Sequence, residues 1–386
     1  MASRILFSCV GGDGHFHPLV PLARAFADSG HEVAFATAPA MRERAEAAGF
    51  AFHSAGIEPG ERLERAGERR AKILTLPPDE RRAFIFPLLF GLIDAPAKIG
   101  ELRTIVKTWE PDLVVHDSCD LAAALAAAER ELPSVNHSFG RMIPPAIVAA
   151  AEPATEPLWR AAGMTPQPYA GMFRGVYVDI APPSFQTETV PAGVQVEHVR
   201  SASLAAAPTE RAPDWLTQLP DRPTVYVTLG TVHNDLSVFR LLLEAFADLD
   251  CNVIATIGRN KDPAELSPLP DNAHVERYIA QALVLPHAAV VVSHGGSGST
   301  LAALAYGLPI LFVPQGADQF ENAAQVQALG AGVRLLPDDL TVPAARSALQ
   351  SLLTDAPFRE RARTVAEEIA AMPEPAALVP VLIGAV

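Results

Sequence analysis

Basic charge, sulfur and long apolar stretches are all scarce in this chain, and each shortage closes off a class of function. Of 386 residues only 30 are Lys or Arg against 44 Asp or Glu, a formal net charge of −14. That balance repels polyanions and anionic membrane surfaces, so nucleic acid is not expected as a partner. Lysine occurs four times beside twenty-six arginines, a skew that accompanies abundant Ala and Pro and reads as base-composition bias rather than an Arg-rich binding face. The three cysteines, Cys9, Cys119 and Cys251, are odd in number, far apart and each within or beside an apolar segment. They read as buried thiols rather than disulfides or metal ligands, which suits a reducing cytoplasm. No run of eighteen apolar residues occurs, and Met1-Ala2-Ser3-Arg4 runs into the strand-like Ile5-Leu6-Phe7 without the pattern of a leader peptide. A soluble protein, independent of membranes, is expected.

The length suffices for two domains, each with its own core. Both halves alternate short apolar strands with amphipathic helices, the pattern of doubly wound parallel sheets. In the first half, Ile5–Val10, Glu32–Thr37 and Asp112–Asp117 read as strands, and Leu19, Leu22, Ala23 and Phe26 mark one helix face that ends at Gly30. In the second, the strands are Thr224–Leu229, Val253–Ile257, Val290–Ser293 and Ile310–Val313. The small, proline-marked segment Ser201–Pro213 has linker composition. The expected division is residues 1–205, a linker at 206–220, and residues 221–364. An aromatic cluster, Phe84, Phe86 and Phe90, follows a densely charged stretch and by itself reads as a buried helix.

Ser293-His294-Gly295-Gly296-Ser297-Gly298-Ser299-Thr300 lies between an apolar run and the helix-forming Leu301–Ala305, so it reads as strand, turn and helix N-terminus. The first turn of a helix has unpaired N–H groups and about half a positive charge, and glycines let an anion approach them. Such a turn is also an ordinary tight connection. Its partner segment, Pro314 to Ala323, favours a ligand: Asp318 and Gln319 fall past the carboxyl end of the next strand, where open α/β sheets bind ligands, and both can hydrogen-bond a polyhydroxylated group. Leu229-Gly230-Thr231, after another strand, offers a backbone turn and a hydroxyl. Near the N-terminus, Gly11-Gly12-Asp13-Gly14-His15-Phe16-His17-Pro18 is a strand-to-helix turn without dinucleotide-fingerprint spacing; alone, it leaves either histidine structural or functional. Asp117 and Asp120, past a strand, fit helix capping as well as chemistry. No Cys or His spacing suggests zinc.

The His-Gly-Gly-x-Gly-Ser box at His294–Ser299, the Asp-Gln…Asn-Ala box at Asp318 to Ala323, and Gly14-His15-Phe16-His17-Pro18 as Gly-His-x-x-Pro together resemble the family 1 glycosyltransferases of GT-B fold, especially the bacterial enzymes that decorate polyketide and enediyne natural products. The resemblance spans nearly the whole chain. It implies an α/β architecture of two Rossmann-like doubly wound parallel-sheet domains facing across a cleft, with the acceptor in the first, the nucleotide-sugar donor in the second, and a C-terminal helix at about 365–386 bracing the first domain. It further implies a metal-independent, inverting transfer of a sugar or deoxysugar to a hydroxyl of a small apolar acceptor, with no cofactor beyond the donor and a homodimer as a possible assembly. His15 takes the place of the general base, with Asp117 rather than Asp120 as its partner in the matching Pro111–Asp117 run. Gly230, Thr231, Tyr278, Ile279, Gln281, His294, Gly295, Gly296, Ser297, Gly298, Ser299, Asp318 and Gln319 take donor positions, Tyr278 stacking on the base although Ala280 replaces the usual proline. Phe84, Phe86, Phe90, Phe139 and Met142 take acceptor positions. Asp248-Leu249-Asp250 matches the Asp-x-Asp of metal-dependent transferases, but it lies where polar turn residues belong anyway. Ala302 stands where members using ribonucleotide donors carry a ribose-binding glutamate, which favours dTDP-sugars over UDP-sugars. The rival readings are a lipid-linked sugar transferase of the same fold and a non-catalytic nucleotide-sugar-binding protein.

Overall fold

The computed structural model describes residues 2–201, 210–230 and 235–384. It divides into two compact units: Met1–Ala181 with Gln186–Arg200 and Pro373–Val386, and Pro182–Phe185 with Ser201–Met372. The first holds seven parallel strands: β1 (Arg4–Ser8), β2 (Glu32–Thr37), β3 (Ala51–Ser54), β4 (Leu113–Asp117), β5 (Ser134–His137), β6 (Val176–Asp179) and β7 (Val196–His198), in spatial order 3-2-1-4-5-6-7. The second holds six: β8 (Thr224–Thr228), β9 (Asn252–Thr256), β10 (Ala273–Glu276), β11 (Val290–Ser293), β12 (Ile310–Phe312) and β13 (Gly332–Arg334), in order 10-9-8-11-12-13. Both orders reverse beside the first strand of their sheet, which is the doubly wound topology. Helices cover such a sheet on both faces, so the central strands β4 and β8 are buried along their whole length.

One helix among the described residues, Glu80–Trp109, is long and apolar enough to cross a membrane. Here it is a core element of the first unit: Phe86, Leu88, Ile99, Leu102 and Val106 are buried. Its winding widens over Pro87–Asp94, where a proline without an N–H interrupts the ordinary bonding. Its two interior charges are paired inside the protein, Asp94 with Arg62 at 2.6 Å and Lys98 with Asp120 at 2.7 Å.

Much of the proline-marked linker lies outside the described residues, which omit 202–209. The C-terminal brace differs from expectation. Helix Ala356–Ala371 stays with the second unit, and the chain rejoins the first only at Pro373. Proline there cannot continue a helix, so Met372 turns extended, Arg200 N–H donates to Pro373 O at 2.9 Å, and a separate helix, Pro375–Ile383, packs on Val20–Asp28. Leu378, Val379 and Leu382 are its buried face.

Leu382 is fully buried, and truncating a buried leucine to alanine typically costs about 2–5 kcal/mol. Leu382→Ala is therefore expected to speed amide hydrogen exchange in Val20–Asp28 markedly. Unchanged exchange there would mean that the last helix does not brace this unit.

Candidate functional site

In the first unit the switch point lies between β1 and β4, and the loops beyond both strands supply its polar groups. The chain leaving β1 turns at Gly12, whose φ of 133° suits glycine, and enters the one-turn helix Asp13–Phe16. His15 Nδ1 then lies 3.4 Å from Asp117 Oδ1, in ion-pair range but not aligned as a hydrogen bond. Asp117 is fully buried. Its Oδ2 accepts from Val10 N–H at 2.9 Å and its Oδ1 from Cys119 N–H at 2.6 Å. Burial pushes this carboxyl up, but His15 and the two backbone N–H groups outweigh burial and the net shift is downward. Asp117 is thus a carboxylate at neutral pH.

Two aromatic rings approach His15 edge-on, Phe139 at 5.0 Å and Phe90 at 6.1 Å between centroids. Phe86 packs on Phe90 from within the core, Met142 is buried, and Phe84 is 54% exposed. Of the five expected acceptor residues, Phe90 and Phe139 are the two in ring contact with the histidine. His17 turns instead to Asp13 at 3.7 Å, and Asp13 also pairs with Arg44 at 2.5 Å.

Asp120 is engaged elsewhere. It accepts from Ser8 Oγ at 2.6 Å and Lys98 Nζ at 2.7 Å, and caps helix Leu121–Ala128 through Ala123 N–H at 3.1 Å. Sequence reasoning overlooked Lys98, which is 1% exposed; its signal was a lysine within the apolar Ala95–Ile99 of a chain that has four. His15, Asp117 and Cys119 bring ligand-type atoms within 4.8 Å of one another. That trio suits a cation poorly, because burial pushes the Cys119 thiol well up and keeps it protonated, while both Asp117 oxygens already accept backbone N–H groups.

In the second unit the switch point lies between β8 and β11. His294 directly follows β11, and its ring fills a slot between two glycines: a Cβ on Gly230 or on Gly296 would stand 2.7 Å from it. Gly230 also needs its φ of 75°. Helix Ser297–Ala305 begins beyond, so N–H groups of its first turn are available to an anion. Asn322 organises the floor. Its Nδ2 donates to Gly295 O at 2.9 Å, to Asp318 Oδ2 at 3.0 Å and to Ser297 Oγ at 3.2 Å, and Ser297 Oγ donates to the same Asp318 oxygen at 2.8 Å. Gln319 Oε1 accepts from Gln315 N–H at 2.8 Å and Gly316 N–H at 3.0 Å. Gln281 Nε2 donates to Ser299 Oγ at 3.0 Å. The two boxes, at His294–Ser299 and Asp318–Ala323, are thereby knitted into one surface. Asn322 was legible as part of the second box, though its role as organiser was not.

Tyr278 is 44% exposed, and the Arg259 guanidinium lies 3.5 Å from its ring centroid. Ile279 is buried beside it. Gly298 borders open space. Thr231, expected next to Gly230, lies outside the described residues. Asp248 and Asp250 face Arg346 at 3.2 Å and Arg222 at 4.0 Å, respectively, on the surface.

The family described as erythromycin biosynthesis protein CIII-like matches this chain with its N-terminal domain over residues 24–230 and its C-terminal domain over residues 240–384. The L-demethylnoviosyl transferase of Streptomyces niveus is 33% identical over 380 residues, spanning 97% of this chain and 96% of its own. Among solved structures, the calicheamicin glycosyltransferase CalG4 is similar with a TM-score of 0.82 at 26% identity, covering 100% of this chain and 98% of its own. The spinosyn rhamnosyltransferase SpnG complexed with thymidine diphosphate is similar with a TM-score of 0.81 at 25% identity, covering 98% of this chain and 100% of its own.

The glycine slot around His294 can be tested by size alone. Gly296 has φ −60° and ψ 141°, which alanine adopts freely, so Gly296→Ala adds only a clash; overpacking of this kind costs about 1–3 kcal/mol. The His294 ring signals in NMR are expected to shift in that variant and to stay in place in Gly298→Ala. Equal spectra for both variants would contradict the slot.

Proposed function

The chain is a family 1 glycosyltransferase of GT-B fold, a member of the erythromycin biosynthesis protein CIII-like family, and from that premise we propose that it transfers a deoxysugar from a dTDP donor to a hydroxyl of a small apolar natural-product acceptor, with inversion at the anomeric carbon. The observation that carries this reading is the His15–Asp117 pair, a partly exposed imidazole in edge contact with two phenylalanine rings and backed by a buried carboxylate. Neutral His15 Nε2 takes the acceptor hydroxyl's proton as that oxygen attacks the anomeric carbon. Asp117 holds the proton on Nδ1 and stabilises the imidazolium formed. Phe90 and Phe139 face the acceptor.

The glycosidic C–O bond forms as the bond to the diphosphate breaks, and charge gathers on the departing phosphate. In this reading the turn at Gly230, His294 and the first N–H groups of helix Ser297–Ala305 receive that charge, so no metal is required. Asp318 and Gln319 hold sugar hydroxyls, and Tyr278 stacks on the base. The enzyme is proposed to act in the cytoplasm, without a membrane or nucleic acid partner.

His15→Ala is expected to lower transfer by about 10²–10⁴-fold, the usual scale of general-base removal, while calorimetry shows donor affinity unchanged. Wild-type turnover in this variant would remove His15 from the mechanism. The donor preference rests on Ala302, an alanine that offers no hydrogen bond to a ribose 2′-hydroxyl; the SpnG complex with thymidine diphosphate supports it by analogy. In titrations dTDP is expected to bind more tightly than UDP, and Ala302→Glu to narrow the gap. Tighter binding of UDP to the wild type would overturn the dTDP assignment.

A further inference from the structure

We propose that Lys98 is a positioning residue for the catalytic pair, acting through the Cys9–Val10 peptide group on Asp117 and so on His15. The proposal rests on the function assigned above to that pair. Lys98 Nζ donates to Cys9 O at 2.7 Å, to Ala36 O at 3.2 Å and to Asp120 Oδ2 at 2.7 Å. The same peptide group, on its other side, donates Val10 N–H to Asp117 Oδ2 at 2.9 Å. An ammonium on the carbonyl oxygen draws electron density through the amide resonance, which makes the N–H a stronger donor. Hydrogen bonds in series reinforce one another by about 10–30% each, and more effectively where water is excluded. Lys98, the peptide group and Asp117 form such a series, and His15 lies in ion-pair range of its end.

The stronger the bond that Asp117 accepts from Val10, the less of its charge is left to hold a proton on His15. Lys98 thereby keeps the imidazole ready to accept a proton from the acceptor, and it also fixes the end of β1 from which the His15 turn departs. Other titratable and charged groups also surround the pair. Burial pushes the thiols of Cys9, on β1's end, and Cys119, past β4, upward, the former to about 12. Burial pushes His116 of β4 and His137 of β5 downward, the latter to about 4. All four are neutral at working pH. Arg62, of the helix Pro59–Ile73, is paired with Asp94, and Arg82 and Asp94 lie on the long helix; Asp13 of the short helix is held by Arg44 and His17. None of these is hydrogen-bonded to the peptide group that Asp117 uses.

Removing Lys98 alone would strand a buried carboxylate and destabilise the fold, so the test uses the double variant Lys98→Met/Asp120→Asn, which removes both charges while Asn keeps the helix cap. The acidic limb of the kcat/KM profile, which reports the general base, is expected to move to higher pH by about 0.5 unit or more. Asp120→Asn alone retains the Lys98–Cys9 bond and loses a negative charge, so its limb is expected to stay or move to lower pH. A double variant whose limb coincides with wild type, or an Asp120→Asn limb moving to higher pH, would overturn the role of Lys98. His15→Ala assayed in parallel keeps the two questions apart: its loss of transfer upholds the base while the profiles decide the lysine, and wild-type transfer in it refutes the base and the proposal together.

Discussion

A fully buried carboxylate kept ionised at the end of β4 is the constraint around which the active face of the first unit is built. Burying a charge costs several kcal/mol unless hydrogen bonds and an opposite charge replace its water. Asp117 obtains a local hydrogen bond from Cys119 N–H, two residues on, and its other partners, Val10 N–H and the His15 ring, come from the chain just past β1, about a hundred residues earlier. They reach it only because β1 and β4 are neighbours at the point where strand order reverses. The arrangement also separates the duties of two carboxylates three residues apart. Asp120 neutralises Lys98 and starts a helix, which leaves Asp117 as the acid facing the histidine.

The second unit repeats the topology with other chemistry. Its reversal, between β8 and β11, brings Gly230 and Gly296 against the His294 ring and starts a helix just beyond. What gathers there is mostly backbone: N–H groups and a helix end suited to an anion, with Asn322 joining the two sequence boxes into one floor. A proton-transfer site needs a titrating side chain of fixed orientation, whereas a leaving-group site needs dipoles that are already in place. Under the proposed function the same fold serves both, because the switch point is a geometric feature and carries no chemistry of its own.

The central strands were legible in the sequence because burial on both faces makes them continuous apolar runs: Glu32–Thr37 and Val290–Ser293 coincide with the expected bounds. The strands that sequence reading passed over, β3, β5, β6, β7, β10 and β13, are short, and β3, β7 and β10 hold no buried residue, so neither alternation nor a long run marks them. Candidate residues stood out in the sequence where motif and strand end coincide, as at His15, Asp117 and His294, and the fold brings His15 and Asp117 within 3.4 Å. The bond network was hidden. Lys98 lies eighty-three residues after His15 and reaches the pair through a carbonyl oxygen, which no sequence pattern encodes. Arg259 over Tyr278 was equally invisible, since the two meet only through the fold.

The central claim, that His15 removes the acceptor's proton as the sugar is transferred, is tested most directly by how transfer depends on acceptor acidity. Transfer rates would be measured for phenolic acceptors of one shape and graded acidity, with the wild type and His15→Ala side by side. A working general base makes the wild-type rate depend weakly on acidity. Without it the acceptor must shed its own proton, so the dependence steepens and the variant approaches wild type only for the most acidic phenols. Parallel dependences in the two proteins would show that His15 takes no part in the proton transfer.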